Sequence, residues 1–262
     1  MNDIREKWEL TILDGLIPVN DAASLAIGDI DGDGRNEVVI GGDGVLLWYR
    51  PGTFERGVID RGMYGVGLAL EDIDGDGKLE IFAGMTSGDS RYGMNNLYCY
   101  KSGCDLSGTW SRILITPQFA GYCHDIIFAD VDGDGDRELL TLSNPGIFIF
   151  KHGMDISQPW SMHTVVKDIF TEGLLVTDLD GDGKMEIICG PDWYRVPDKG
   201  PYSGLWQRNI FAPNFREMNR TALIDITGNG RPDIVIVESE YMEGRLSWFE
   251  NRISIGYYGC ER

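Results

Sequence analysis

The chain has 262 residues and a formal net charge of −19, with 42% hydrophobic and 11% aromatic residues. This composition is typical of a globular domain, and the length is sufficient to bury a large core. The acidic balance argues against nucleic acid as a partner, because phosphate binding needs a basic surface. No apolar run approaches the roughly 20 residues of a membrane-spanning helix, so membrane insertion is not expected.

The sequence leaves the compartment open. Residues 1–7 do not form a signal peptide. The protein is therefore expected either in the cytoplasm or outside the cell with a leader removed. The five cysteines are an odd number without metal-ligand spacing, so reduced thiols are favoured, although Cys99 and Cys104 are close enough in sequence to pair.

Along the chain, one acidic loop is written five times, at residues 29–37, 72–80, 130–138, 178–186 and 225–233 (loops 1 to 5). Loops 1 to 4 have carboxylates at positions 1, 3, 5 and 9 around two glycines, whereas loop 5 has Thr227 and Asn229 at positions 3 and 5. The candidate metal ligands are Asp29, Asp31, Asp33, Glu37, Asp72, Asp74, Asp76, Glu80, Asp130, Asp132, Asp134, Glu138, Asp178, Asp180, Asp182, Glu186, Asp225, Asn229 and Asp233.

Hard oxygen ligands on a tightly turning backbone fit Ca²⁺, which takes 6–8 oxygens at roughly 2.3–2.6 Å. Affinity rises with ligand charge, so we expect four strong Ca²⁺ sites and a weaker fifth. An EF-hand is excluded, because it needs a Glu at loop position 12 and a following helix. Position 12 of loop 1 is Ile40, which lies inside an apolar run.

Each loop separates two short apolar segments, and after loops 1 to 3 two more segments rich in aromatic and β-branched residues follow. Such segments are typical of strands. In the fourth repeat, a longer loop around Trp193 and Tyr194 is expected at the third strand. Four strands in a period of roughly 40–60 residues indicate a β-propeller blade. The sequence predicts an all-β fold: a five-bladed β-propeller of four-stranded blades, with the Ca²⁺ loop between the first and second strands.

The predicted domain is a single one, residues 1–262, with blades near residues 21–62, 63–117, 118–168, 169–213 and 214–252. The fifth repeat lacks a recognisable fourth strand, and residues 7–13 match the pattern of that strand elsewhere. We therefore expect residues 7–13 to complete the last blade and close the ring, with Trp8, Leu10 and Ile12 facing inward. The alternative is a part of a propeller with seven or eight blades.

These acidic loops between apolar strands resemble the FG-GAP/VCBS repeat family of Ca²⁺-binding β-propellers. Integrin α-chain heads and many bacterial polysaccharide lyases and lectins carry such repeats. The resemblance covers nearly the whole chain, and it implies the propeller fold and Ca²⁺. It does not specify an activity.

The starts of the innermost strands are expected to surround a funnel on the face opposite the Ca²⁺ loops. Aromatic rings, amides and an arginine around a concave mouth suit a sugar. The catalytic candidates are His124, Glu172 and Arg220. The ligand-binding candidates are Asp21, Tyr64, Tyr122, Trp193, Tyr194, Arg195, Asn219 and Tyr241.

The favoured function is a Ca²⁺-stabilised monomer that recognises a glycan or another small polar ligand. Whether it is also an enzyme is left open. A uronate lyase needs a cation for the carboxylate, here Arg220 or Arg195, and a proton-transfer group, here His124 or Tyr122. A glycoside hydrolase needs two carboxylates, for which Asp21 and Glu172 are the central candidates. A protein-interaction scaffold is a further alternative.

Overall fold

The computed structural model describes residues 9–86 and 93–253, which form strands joined by turns. Within these ranges no helix could span a bilayer. The strands are β1 (Asn20–Gly28), β2 (Glu37–Asp43), β3 (Val45–Arg50), β4 (Glu55–Asp60), β5 (Met63–Glu71), β6 (Glu80–Thr86), β7 (Asn95–Lys101), β8 (Ser111–Ala120), β9 (Cys123–Ala129), β10 (Glu138–Ser143), β11 (Gly146–Lys151), β12 (Ser161–Lys167), β13 (Leu174–Thr177), β14 (Glu186–Cys189), β15 (Asp192–Arg195), β16 (Gln207–Ile210), β17 (Asn219–Ile224), β18 (Asp233–Glu238) and β19 (Leu246–Phe249).

The strands form antiparallel units that follow one another in chain order. The first unit is β1–β4, the second β5–β8, the third β9–β12 and the fourth β13–β16, and in each of them consecutive strands are neighbours. The fifth unit has three described strands, β17–β19. One residue pair, Asp43 with Met63, joins the sheets of the first two units. The described chain is thus an all-β array of repeated units, similar to the blades of a propeller.

The hydrophobic core lies between consecutive units, because alternate residues of a strand point to opposite faces of its sheet. Central strands are therefore buried on both faces, as in β10, where every residue is buried. Each pair of consecutive units encloses one cluster of buried side chains, represented in order by Trp48 and Tyr100, Phe82 and Trp160, Ile149 and Tyr194, and Ile188 and Ile234. Cys99, Cys123 and Cys189 belong to these clusters as free thiols.

Residues 192–195 are a strand rather than the longer loop expected from the sequence. Strand β15 pairs with β14 on one side and with β16 on the other. Tyr194 is fully buried in the cluster between the third and fourth units. The prediction of a loop is wrong because burial of this aromatic ring holds a strand of only four residues in place.

The N-terminal segment does not act as the last strand of the fifth unit in the part described. Residues 9–13 belong to no strand, and Leu10 and Ile12 are 85% and 65% exposed. Trp8 lies outside the described residues. The prediction that Leu10 and Ile12 face inward is wrong because the chain that follows is held by the first unit. Asp14 accepts a hydrogen bond from Tyr49, and Ile17 packs on the outer face of β3.

The first and fifth units each expose an apolar face. Leu25 and Ile27 on β1 are more than half exposed, and so is Leu246 on β19, with Trp248 nearly so. Gly28, the next residue along β1, approaches Leu79 of the second unit. By alternation, Leu25 and Ile27 therefore face away from the second unit.

Candidate metal loops and central cavity

Each acidic loop is a tight turn between the first and second strands of its unit. Its two glycines, at positions 4 and 6, have positive φ in all five loops, for example +76° and +85° at Gly32 and Gly34. Side chains with a Cβ rarely adopt this conformation. The carboxylate at position 1 closes the turn, because it accepts a hydrogen bond of 2.8–3.1 Å from the backbone N–H of the glycine at position 6.

The carboxylate at position 9 is buried beneath its loop. Glu37, Glu80, Glu138 and Glu186 are at most 1% exposed. One oxygen of each accepts a hydrogen bond from the backbone N–H at position 2, over 2.9–3.3 Å. Burial raises the pKa of Glu80 and of Glu186 to about 7. A nearby cation would favour the ionised form of such a group.

The donor groups of loops 1 to 4 fit a hard divalent cation. In loops 2 to 4, oxygens from positions 1, 3 and 9 lie within 4.8 Å of one another, and in loop 1 those of positions 1, 3 and 5 do so. Within these loops, Asp72 Oδ1 of loop 2 and Glu186 Oε1 of loop 4 are buried without a hydrogen-bond partner. An all-oxygen set with unpartnered buried oxygens suits a bound cation. These four clusters could therefore hold metal ions.

Loop 5 is organised differently. Both oxygens of Asp233, its position-9 carboxylate, accept backbone hydrogen bonds, from Ile226 at 3.0 Å and from Asn251 at 2.7 Å. The side chain of Asn251 donates to the carbonyl oxygen of Leu179 in loop 4, at 2.6 Å. Loop 5 is thus held by the backbone, and the described residues form no three-acid cluster there.

A basic residue lies against each of loops 1 to 4, and the sequence analysis singled out only one of the four, Arg195, in a different role. These residues end the third strand of their units and are Arg50, Lys101, Lys151 and Arg195. The sequence signal is an aromatic residue followed by Arg or Lys at that strand end. The prediction that Arg195 lines the ligand face is wrong. Arg195 lies 3.1 Å from Asp180 and from Asp182, at the metal loop, because it ends β15 on that side of the sheet.

At the opposite ends of the inner strands, a cavity of about 640 Å³ opens. It is lined by residues of all five units together with the segments leading into them. Five of the predicted site residues line this central cavity: Asp21, Tyr122, His124, Glu172 and Arg220.

His124, Glu172 and Arg220 form one chain of charged contacts in the cavity wall. His124 Nε2 lies 3.0 Å from Glu172 Oε1, and its Nδ1 lies 3.1 Å from Asp125 Oδ2. Arg220 pairs with the other oxygen of Glu172. Burial opposes ionisation of His124, but the hydrogen bonds to Asp125 and Glu172 outweigh it and raise its pKa to about 9. His124 is therefore a cation at neutral pH and not a free base.

Glu172 is held in its ionised form by these neighbours. Burial alone would raise its pKa, but His124 and Arg220 together bring the pKa below its ordinary value. Glu172 is itself buried. A carboxylate shared between two cations is not poised to protonate a leaving group, so the geometry does not support a general-acid role for it.

Two predicted site residues lie in the core instead, and a third, Trp193, is partly buried against it. Tyr64 is 1% exposed, and its hydroxyl lies 2.9 Å from that of Tyr100, between the first and second units. Tyr194 is buried between the third and fourth units, and Trp193 packs between the fourth and fifth. The prediction that these rings line the mouth is wrong for Tyr64 and Tyr194, because hydrophobic burial turns them into the sheet interfaces.

Asn219 and Tyr241 support the rim of the cavity. Asn219 is fully buried and donates to the carbonyl oxygens of Arg216 and Glu217, at 2.6 and 2.9 Å. It fixes the turn before β17 rather than facing a ligand. The Tyr241 ring lies 3.9 Å from the guanidinium of Arg216, and the backbone N–H of Met218, a cavity residue, donates to the Tyr241 hydroxyl.

A comparison with protein-family models and solved structures places this architecture. The FG-GAP-like repeat model matches residues 29–83 and 72–141. The V. cholerae biofilm matrix protein Bap1 is similar in structure, with a TM-score of 0.55 and 16% identity over 89% of this chain and 38% of its own. An Agrocybe aegerita lectin that recognises non-reducing terminal N-acetylglucosamine has a TM-score of 0.50 and 18% identity, over 81% of this chain and 60% of its own.

A search of curated protein sequences gives no match. The chain spans less than two thirds of the length of either structural relative, and at these identities the likeness shows the fold alone. The repeat match falls on the first three acidic loops, whose strands and turns have the repeated geometry described above. Residues 29–141 therefore match the FG-GAP-like repeat, and the described fold is similar to the folds of these two structural relatives.

Proposed function

We propose that this chain is a Ca²⁺-stabilised β-propeller whose central cavity binds a neutral carbohydrate. The observation that carries the proposal is the cavity itself, which combines aromatic side chains such as Tyr122 and Phe170 with hydrogen-bonding groups such as Asn144 and Glu240. A sugar offers both an apolar ring face and hydroxyl groups, and concave sites with a few polar groups suit such ligands.

The metal part of the proposal assigns Ca²⁺ to loops 1 to 4 and a weaker site to loop 5. The ligands would be the carboxylates at positions 1, 3, 5 and 9. Bound Ca²⁺ would supply the positive charge that the buried position-9 carboxylates need. Loop 5 has Thr227 and Asn229 in place of two carboxylates. It therefore offers less negative charge to a metal ion and needs less positive charge to balance its own.

The architectural part of the proposal is that the five units are blades of one ring in a single domain, residues 1–262, with the limits given in the sequence analysis. Two exposed apolar faces support it. Leu25 and Ile27 on the first unit and Trp248 on the fifth are unusual on a solvated surface. In a closed ring, these faces would pack against each other.

The charge of the cavity favours a neutral ligand over a uronate. The lining has carboxylates at Asp21, Glu172 and Glu240, and its two cations, His124 and Arg220, both contact Glu172. No cation is thus set aside for a substrate carboxylate among these residues. The similar lectin, which recognises a neutral sugar, provides a suitable first probe. Because both ring nitrogens of His124 are engaged by carboxylates, Asp125 and Glu172, neither is directed at a ligand, and we propose binding rather than proton-transfer catalysis.

The ligand proposal is tested on an array of neutral and acidic glycans that includes terminal N-acetylglucosamine, followed by calorimetry on the hits. We expect binding to neutral glycans, lost in Tyr122→Ala and retained in Tyr202→Ala. Tyr202 provides the matched control because it contacts Asp132 of loop 3, at the other end of the strands. Preferential binding of uronates, or equal loss in both variants, would contradict the proposal.

The metal proposal is tested by thermal unfolding in Ca²⁺ and in chelator. Each site that binds only the folded protein adds about 2.7 kcal/mol at 100 times its dissociation constant. Chelation should therefore lower Tm by many degrees. An unchanged melting curve would show that the loops are not metal sites.

A further inference from the structure

The basic residues beside loops 1 to 4 occupy one register position. Antiparallel pairing places Val38 opposite Tyr49, Ile81 opposite Tyr100, Leu139 opposite Phe150 and Ile187 opposite Tyr194. One step further along each ladder, the position-9 glutamate of the loop meets Arg50, Lys101, Lys151 or Arg195. Four independent repeats therefore present a cation to the same buried carboxylate position.

The contacts of these cations are more than single surface ion pairs. Lys151 Nζ lies 2.5 Å from Asp132, 2.6 Å from Asp134 and 3.0 Å from Glu138, which are positions 3, 5 and 9 of loop 3. Lys101 contacts the same three positions of loop 2. Each ammonium group thus sits among the carboxylates that are the candidate metal ligands.

The fifth repeat reverses this pattern. Ile234 pairs with Phe249, so the next step places Glu250, an acid, at the cation position. Glu250 pairs with Arg252, and the oxygen of Asp233 that would face a cation accepts the backbone N–H of Asn251. The repeat with the fewest loop carboxylates is therefore the one without the cation. This correspondence ties the cation to the charge of the loop.

Simple solvation of a surface charge does not account for this arrangement. The Lys151 side chain is only 27% exposed, and it reaches a glutamate that is 1% exposed. An exposed ion pair usually contributes little and samples many geometries. Here a contact with the position-3 carboxylate recurs in all four loops, made by Lys in two of them and by Arg in the other two.

We propose that Arg50, Lys101, Lys151 and Arg195 are built-in counter-ions that hold loops 1 to 4 folded without metal and that a bound Ca²⁺ must displace. The inference rests on the proposed Ca²⁺ function. A basic side chain and Ca²⁺ compete for the same carboxylates and repel each other at this distance, so the counter-ion lowers the affinity for Ca²⁺ while it reduces the dependence of folding on Ca²⁺.

The structure orders the loops by the contacts that metal must break. In loop 4, Arg195 contacts Asp180 and Asp182 but leaves Glu186 Oε1 without a partner. In loop 3, Lys151 engages three carboxylates. Loop 4 should therefore take up Ca²⁺ at a lower concentration than loop 3.

The test is hydrogen exchange followed by mass spectrometry, which reads each loop peptide separately during a Ca²⁺ titration of the whole chain. Lys151→Met is compared with Lys167→Met, which removes the same charge from the exposed end of β12. In chelator, the loop 3 peptide of Lys151→Met should exchange faster than in the control. On titration, the Ca²⁺ concentration that half-protects this peptide should fall by about tenfold. A factor of this size is expected from the loss of a network of exposed and buried ion pairs.

If the midpoint of loop 3 is unchanged or higher in Lys151→Met while the other loops respond to Ca²⁺ normally, the counter-ion inference is overturned, but the proposed metal function is not. Absence of a Ca²⁺ response in every loop of the wild-type chain would overturn the proposed metal function as well. If Lys151→Met fails to fold, the wild-type order of midpoints still decides: loop 3 filling before loop 4 would contradict the inference.

Discussion

The buried His124 makes stability depend on pH in a defined window. Its pKa is about 9 in the folded chain, against about 6.5 in an unfolded one. A group with a raised folded pKa contributes its full stabilisation below the unfolded value and loses it as the pH rises through the folded value. The window is therefore about pH 6.5 to 9. The shift corresponds to at most about 3 kcal/mol, because one pKa unit is about 1.4 kcal/mol.

The assay is urea unfolding in saturating Ca²⁺ at pH 6, 7.5 and 9.5, for the wild-type chain and His124→Gln. The difference between the two free energies of unfolding isolates His124 from other groups that titrate in this range, such as Glu80. We expect the wild-type advantage to shrink by about 2–3 kcal/mol from pH 6 to pH 9.5. His163→Gln serves as control, since its Nε2 lies 3.0 Å from a neutral partner, the carbonyl oxygen of Gly204. A pH-independent difference would refute the reasoning.

Two other predictions concern the core and the loops. Phe82→Ala empties a fully buried site against Phe128. It is expected to lower the free energy of unfolding, measured in urea, by about 3–5 kcal/mol. A loss below about 1 kcal/mol would show that the interface between the units collapses to fill the space. Gly135→Ala, at φ +95° in loop 3, is expected to lower the stability by about 1 kcal/mol, although the space around this glycine is open. Gly153→Ala, also in open space but without positive φ, should change the stability by less than about 0.5 kcal/mol. Equal effects of the two substitutions in thermal unfolding would contradict the role of backbone conformation.

The strands and the acidic turns could be predicted from sequence because their signals are local. Apolar runs and paired glycines act over a few residues, and the loops have the positive φ values that their glycines imply. The short strand β15 was missed because Trp193 and Tyr194 stand among turn residues. Its stability comes from burial of Tyr194 against the third unit, which is a tertiary contact.

Positions facing the cavity were harder to predict because counting along a strand assumes regular alternation. The pairing of β5 with β6 shifts register between Tyr64 and Leu68. Such a bulge turns the residues before it relative to those after it. Tyr64 therefore points into the core, whereas Tyr122, the residue at the same distance before loop 3, lines the cavity. Likewise, the N-terminal segment follows a pattern of outer strands, but Asp14 and Ile17 bind it to the first unit.

The inner strand of the third unit links the two ends of the molecule. His124 stands near the start of β9, and Asp130, the first residue of loop 3, follows its last residue. An extended segment of about six residues spans roughly 20 Å with almost no slack along its axis. A displacement of loop 3 along the axis of β9 would therefore reach the cavity wall. If metal uptake shifts this strand, occupancy of the loop and affinity at the cavity must alter each other by the same factor, because linkage between two sites is reciprocal.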